Sequence, residues 1–260
     1  MDARVIAVAN PKGGCGKTTT AVNLAACIAK QKRRVLLIDL DPQRSASLGV
    51  GMKILSSYPS VRDFLLNLHL GAEKVIHPTI AENLWILPAN SSLVEVERKL
   101  RTREGGGLVL KERLSPLIEQ YDYIFIDTPP SLGVLTLNAL TSADKVIIPV
   151  QTQFYALTGL AQLLSMVEMV RERISPNLCE VKILATMFDP RTRLSHLILE
   201  ELRKNFHREL FNTVIPVSTK LAEAPGSGLP VSIYDPGCRG ALAYQKLAVE
   251  IISGEKEKSS

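Results

Sequence analysis

Seven short runs of this chain are apolar at nearly every position: residues 5–9, 35–38, 85–87, 123–126, 146–150, 181–185 and 231–233. A strand with no polar face has both faces buried, which is the condition of parallel sheets covered by helices on each side. The stretches between these runs (residues 17–31, 92–101, 108–120, 157–173, 194–207 and 241–252) carry the 3.6-residue periodicity of amphipathic helices. Alternation of the two patterns over the whole length predicts an α/β fold, a doubly wound, mostly parallel sheet flanked by helices. No repeat of solenoid period and no low-complexity linker divides the chain. Residues 1–253 are therefore expected to form one domain, with residues 254–260 a polar, frayed tail. The three glycines at 105–107 read as a loop between helices.

Several classes drop out at once. No stretch reaches 18 uninterrupted apolar residues, so no membrane-spanning helix is expected. No cleavable leader pattern precedes the first apolar run. Cysteines at 15, 27, 179 and 238 form no CxxC pair, which fits a reducing cytoplasm better than a disulfide framework. The net charge of +5 fits contact with nucleic acid or an anionic membrane, and equally fits a merely solubilising surface.

Between the first strand and the first helix, residues 10–20 read NPKGGCGKTTT. Glycines let backbone N–H groups curl round a phosphate, and the helix N-terminus adds positive potential. Lys17 is placed to reach the β- and γ-phosphates, and the Thr18 hydroxyl to ligate Mg²⁺. Gly13, Gly14, Cys15, Gly16 and Thr19 complete the cradle. The chain is thus expected to have a P-loop NTPase fold that binds ATP and Mg²⁺. The second apolar run ends Asp39-Leu40-Asp41-Pro42-Gln43, and the fourth ends Asp127-Thr128-Pro129-Pro130. Carboxylates at the C-terminal ends of buried parallel strands face the ligand crevice. Strand alternation puts Asp39 and Asp41 on one side, near the metal and the attacking water. Asp127 ends its run in the manner of an acid that holds Mg²⁺ through water.

The loop departs from the usual G-x-x-x-x-G-K-[ST], because Pro11 stands where the first glycine would be and Lys12 opens the loop as a second lysine. This order resembles the deviant Walker A motif. Together with DxDPQ, the 127–133 segment, and residues 149–160, 185–194, 221–225 and 234–244, the chain resembles the ParA/Soj-type partition ATPases, relatives of MinD, nearly end to end. The resemblance implies an ATPase of weak intrinsic activity that forms a homodimer on binding ATP. It implies that Lys12 touches the nucleotide held by the other copy, and that Lys12, Lys17 and Asp41 carry catalysis, Asp41 by positioning the water. It further implies metal-side roles for Thr18, Asp39 and Asp127, and base-side contacts at Met187, Pro216 and Asp235. The implied partners are non-specific double-stranded DNA and a ParB-like protein on the cargo (chromosome, plasmid or another assembly) that stimulates hydrolysis and so releases the DNA. The implied place is the cytoplasm, on the nucleoid.

The segment from 191 to 220 carries six bases against three acids. Arg191, Arg193, Arg203, Lys204, Arg208 and Lys220 are the candidate DNA contacts, with Arg203, Lys204 and Arg208 expected within two turns of one helix. Such a face would hold phosphates without reading bases. Three positions depart from the family pattern: Val217 where an arginine often follows Ile-Pro, Lys220 where arginine is associated with DNA, and Arg44-Ser45 after DPQ. A MinD-like membrane-associated ATPase is the alternative, disfavoured because the last residues lack the bulky apolar anchors of an amphipathic membrane helix. A nucleotide-gated scaffold with negligible hydrolysis is the other. Cys15 is expected to pack, and Trp85 to lie in the core. No extension precedes the first strand, so no separate operator-binding domain is expected.

Overall fold

The computed structural model describes residues 3–52, 58–153 and 158–258. Seven strands form one sheet: β1 (Arg4–Val8), β2 (Val35–Asp39), β3 (His77–Pro78), β4 (Leu84–Leu87), β5 (Tyr123–Asp127), β6 (Lys145–Gln151) and β7 (Glu180–Thr186). Their spatial order is β3-β4-β2-β5-β1-β6-β7, parallel throughout except for the two-residue edge strand β3. Every residue of β2 and of β5 is buried. The pleat divides them between two cores. Leu36 and Ile38 join one apolar cluster with Val5 and Ala7, while Val35 and Leu37 join the other with Ile6 and Val8.

Eleven α-helices are present among the described residues: α1 (Lys17–Ala29), α2 (Ser45–Gly49), α3 (Val61–Leu66), α4 (Leu93–Thr102), α5 (Val109–Leu114), α6 (Val134–Ser142), α7 (Thr158–Arg173), α8 (Arg193–Asn205), α9 (Thr219–Glu223), α10 (Val231–Tyr234) and α11 (Arg239–Lys258). The buried residues of α3 to α8 belong to the first cluster, those of α1 and α11 to the second. The sheet is therefore covered on both faces, as its apolar strands require. The glycines at 105–107 form the turn between α4 and α5, as expected.

Four expectations need revision or delimitation. Residues 231–233 form helix α10, not a strand. Pro230 sets the entry, the amides of Ile233 and Tyr234 bond to the Pro230 carbonyl, and the Val231 N–H is taken by Asn23 Oδ1 at 2.6 Å, so no strand ladder is left to make. The last helix continues to Lys258, past the expected end at 252. Trp85 is only half-buried and stacks edge-on to Tyr121. Residues 154–157, which include the expected start of α7 and part of the 149–160 match, lie outside the described residues, as do residues 259 and 260 of the expected tail.

Candidate nucleotide site

β1, β2 and β5 are neighbours, and all three end at the same edge of the sheet. In register, Val8 pairs with Asp127, and Asp39 pairs with Asp127. The topology thus gathers the residue 10–18 loop, Asp39, Asp41 and Asp127 at one place.

The loop is held from both flanks. Asn10 Nδ2 donates to the Pro149 carbonyl at 2.7 Å, and Asn10 Oδ1 accepts the Lys12 N–H at 2.9 Å. Thr186 Oγ1 donates to the Cys15 carbonyl at 2.8 Å. Gly14 (φ 72°) and Gly16 (φ 92°) occupy the left-handed region, which costs glycine nothing and an L side chain a good deal. A Cβ built on Gly13 or Gly14 would meet no atom within 4 Å, so the space beside these amides is open to a ligand. Lys17 is buried, and its ammonium donates to the Lys12 carbonyl at 3.0 Å. The Lys12 ammonium makes no ion pair with the described residues. Cys15 is buried, and burial pushes its thiol up, so it packs and stays protonated.

The acids have distinct settings. Asp127 accepts the Thr18 hydroxyl on Oδ2 at 2.8 Å, while its Oδ1 is buried without a partner. Asp39 accepts the Asp41 amide on Oδ1 at 3.0 Å, and both the amide (2.8 Å) and the hydroxyl (2.7 Å) of Ser47 on Oδ2. It therefore fastens α2 to the strand end as well as contributing charge. Asp41 accepts the Gln43 amide at 2.9 Å on Oδ1, and its other oxygen makes no bond with the described residues. Arg44, which follows Gln43, has φ 60°, in the left-handed region that glycine adopts without strain. Burial, and then the neighbouring charge of Asp39, hold the Asp127 carboxyl well above the usual carboxylate range. Burial likewise pushes Asp39 up to about 6 against the opposing bonds from Ser47. An orphaned carboxylate oxygen, a hydroxyl beside it and two crowded buried acids form the oxygen-rich, over-negative environment that a hard divalent cation relieves. These residues fit Mg²⁺.

This crowding has a measurable consequence. A carboxyl whose folded pKa exceeds its unfolded value contributes stability at low pH and loses it as pH rises through the folded value. For Asp39 that window runs from about 4 to about 6. Asp127→Asn removes the neighbouring charge while keeping an acceptor for Thr18. Without Mg²⁺ the variant should melt about 3 °C above the parent chain at pH 7.5, and the gap should close toward pH 5. Calorimetry at both pH values checks this; equal melting at pH 7.5 refutes the crowding.

Beside Gly16 and Thr19 lies a cavity of about 350 Å³ whose wall includes Thr186, Met187, Pro216 and Tyr244. Met187 and Pro216 are on this wall; Asp235 is not. The 185–188 and 215–217 segments are stitched together, Ile215 N–H to the Ala185 carbonyl and Phe188 N–H to the Ile215 carbonyl. Val217, Ser218, Leu221 and Tyr244 also line the cavity and escaped the sequence reading.

Of the six candidate DNA bases, Arg193, Arg203 and Lys204 lie on α8. α8 ends at Asn205, because the Glu209 and Leu210 amides turn back onto the Phe206 carbonyl, so Arg208 lies beyond the helix on which it was expected. Arg193 and Lys204 sit on one exposed stripe, about 16 Å apart along the axis, with Leu197 and Glu200 between them. Arg191 makes a bidentate pair with Asp189 (2.9 and 2.8 Å), and Lys220 pairs with Glu223 at 2.8 Å. The Arg191 bonds hold Asp189 down at about 2.

Comparison with known proteins agrees with this fold. A profile of the AAA domain family matches residues 3–180. The chain is 41% identical over 256 residues to the chromosome partitioning protein ParA of Myxococcus xanthus, covering 98% of this chain and 90% of that one. It is 44% identical over 248 residues to the sporulation initiation inhibitor protein Soj of Bacillus subtilis, covering 95% and 98%. Solved structures of cobyrinic acid a,c-diamide synthase from Mycobacterium smegmatis, one with ADP and magnesium and one with an ATP analogue and magnesium, superpose with a TM-score of 0.83 at 34% identity, over 98% of this chain and 96% of that one.

Proposed function

Because the chain belongs to the ParA/Soj family of partition ATPases, which use ATP and Mg²⁺, we propose that it is a slow, Mg²⁺-dependent switch whose ATP-bound dimer binds DNA non-specifically. Identity to the partition proteins (41 and 44%) exceeds the 34% to the synthase, so the partition reading takes precedence. The observation that carries it is the pair of lysines on one loop: Lys17 buried against the loop itself, Lys12 half-exposed with no carboxylate among the described residues to hold it. A cation left unpaired beside a phosphate site is available to a nucleotide held by a second copy.

Each residue has a task. The amides of Gly13, Gly14, Cys15 and Gly16 and the ammonium of Lys17 hold the phosphates; Thr18 and Asp127 hold the metal, with Asp39 adding charge beneath them. Bound Mg²⁺ offsets the negative charge of the phosphate oxygens. Thr19, Met187 and Pro216 border the base side, with Asp235 further out. Asp41 orients the attacking water through its unbonded oxygen. Lys12, from the partner copy, stabilises charge that develops on the transferred phosphoryl group. Arg191, Arg193, Arg203, Lys204, Arg208 and Lys220 meet DNA phosphates. A ParB-like partner on the cargo stimulates hydrolysis, the dimer separates, and DNA is released. No described helix is long and apolar enough to cross a membrane, and the proposed location is the nucleoid in the cytoplasm.

A mobility-shift assay with ATP, ADP and no nucleotide at two salt concentrations tests the switch. Binding should need ATP and weaken steeply with salt. Arg191→Ala should reduce the slope of log affinity against log salt by about 1 per bound monomer, for any sequence. Binding indifferent to nucleotide refutes the proposal.

A further inference from the structure

A buried cluster of hydroxyls lies between the nucleotide cavity and the turn that carries Arg191. Thr152 follows β6, Thr186 ends β7, Thr192 caps α8, and Ser195 stands in its first turn. Thr152, Thr186 and Ser195 are at most 3% exposed. The chain of bonds begins at the phosphate loop, where Thr186 Oγ1 donates to the Cys15 carbonyl. The Thr186 carbonyl accepts the Thr152 N–H at 3.0 Å. Thr152 Oγ1 lies 3.2 Å from the Met187 carbonyl and 3.3 Å from Ser195 Oγ. Ser195 Oγ lies 3.4 Å from the Thr152 carbonyl, 3.4 Å from the Asp189 N–H and 2.9 Å from Thr192 Oγ1. Asp189 then grips Arg191 with both carboxylate oxygens.

Each hydroxyl has one proton, and here it faces more than one acceptor. Thr152 donates either to the Met187 carbonyl or to Ser195 Oγ. Thr192 donates either to Ser195 Oγ or to the Asp189 carbonyl at 3.2 Å. The cluster therefore has alternative bonding patterns that differ by hydroxyl rotation and small shifts. Apart from the Thr186–Cys15 and Thr192–Ser195 bonds, its hydroxyl separations of 3.2–3.4 Å exceed the usual ~2.7–2.8 Å for O–H···O, so the choice between Met187 and Ser195 is not locked. Met187, whose carbonyl is one of the competing acceptors, lines the cavity and sits at φ 53°, an uncommon conformation for a side chain that is not Asn, Asp or Gly.

We infer that Thr152 and Ser195 are positioning residues that tie occupancy of the nucleotide cavity to the Asp189–Arg191 turn. A nucleotide against Thr186 and Met187 shifts the carbonyls that compete for the Thr152 proton; that choice decides what Ser195 offers to Asp189, and so how Arg191 is presented. The DNA consequence rests on the proposal that Arg191 meets DNA phosphates.

The variants are Thr152→Val, which removes the hydroxyl, Thr152→Ser, which keeps it, and Ser195→Ala. DNA affinity is read by fluorescence anisotropy on a random-sequence duplex with ATP and with ADP, and nucleotide affinity with a fluorescent ATP analogue. Thr152→Val and Ser195→Ala should bind the analogue within about twofold of the parent chain, while the ATP-to-ADP ratio of DNA affinity falls at least about fivefold. Thr152→Ser should restore the ratio. An unchanged ratio in Thr152→Val, or an equal loss in Thr152→Ser, overturns the inference. Amide hydrogen exchange over residues 189–195 measures the same coupling without DNA. ATP should alter exchange there in the parent chain and not in Thr152→Val; no ATP effect in the parent, or an equal effect in both, overturns it too. A parent chain that binds no DNA but shows the exchange difference would refute the DNA proposal and leave this coupling standing.

Discussion

Lys17→Ala should lower ATP affinity by at least about a hundredfold in isothermal titration, and with it abolish every ATP-dependent property of the chain. Lys17 is buried at the start of α1, and its ammonium reaches back to the Lys12 carbonyl, so it lies across the mouth of the loop whose amides would surround the phosphates. Backbone amides alone place partial charges there; the ammonium supplies the one full positive charge that α1 brings to the loop. Its present partner is a neutral carbonyl, which a phosphate oxygen outcompetes through charge. Removing the side chain also removes a buried cation without breaking an ion pair, because Lys17 makes none among the described residues. The variant should accordingly keep its melting temperature within a few degrees of the parent, which separates lost binding from lost folding. Near-normal ATP affinity in a folded Lys17→Ala chain would mean that the loop is not the phosphate site.

Much of this site could be read from the residues because its parts are contiguous and each follows a strand. Burial on both faces leaves so little freedom in composition that β2 and β5 announce themselves, and the acids that end them are then the first polar groups at the crevice. Residues 231–233 show the limit of the same signal. Their composition suits a buried strand, and what makes them helical is Pro230 together with a bond from Asn23, 208 residues away. Arg208 shows another limit: helical periodicity runs past Asn205, but the chain turns at Phe206, whose carbonyl takes the next amides. Of the cavity wall beside the phosphate loop, Gly16, Thr19, Met187 and Pro216 were legible as nucleotide contacts. Val217, Ser218 and Leu221 follow Pro216 and Tyr244 comes from α11, and no residue type marks them. The Thr152–Ser195 cluster is less visible still, since lone hydroxyls are common and only the fold brings these together. Pairing of Arg191 with Asp189 and of Lys220 with Glu223 likewise cannot be counted from net charge, and it leaves Arg193, Arg203, Lys204 and Arg208 as the basic residues of the group without an ion-pair partner among the described residues.

Asp41→Ala should leave ATP affinity within about threefold of the parent while lowering the hydrolysis rate at least about a hundredfold, measured as phosphate release under single-turnover conditions. The asymmetry follows from where the three acids stand. Asp127 has the orphaned oxygen beside Thr18, and Asp39 is saturated by Ser47 and the Asp41 amide, so both are tied to the metal side or to α2. Asp41 is also nearly buried and also has an oxygen that bonds nothing among the described residues, but its carboxylate is bonded neither to Thr18 nor to Ser47. In the role proposed for it, Asp41 acts on the water and not on the bound nucleotide, so its loss should appear in the chemical step and not in binding. Alanine also breaks the Asp41–Gln43 turn, which could by itself disturb the loop. Asp41→Asn separates the two effects, since an amide oxygen still accepts the Gln43 N–H but carries no negative charge. If the charge orients the water, both variants lose hydrolysis; if the turn is what matters, Asp41→Asn recovers it. With hydrolysis removed and ATP retained, either inactive variant should also accumulate as a long-lived dimer on DNA, eluting early in size-exclusion chromatography with ATP and at the monomer position with ADP. An Asp41→Ala chain that hydrolysed ATP at the parent rate would remove Asp41 from the chemistry altogether, leaving the water to be positioned from the Thr128–Pro130 side of the crevice.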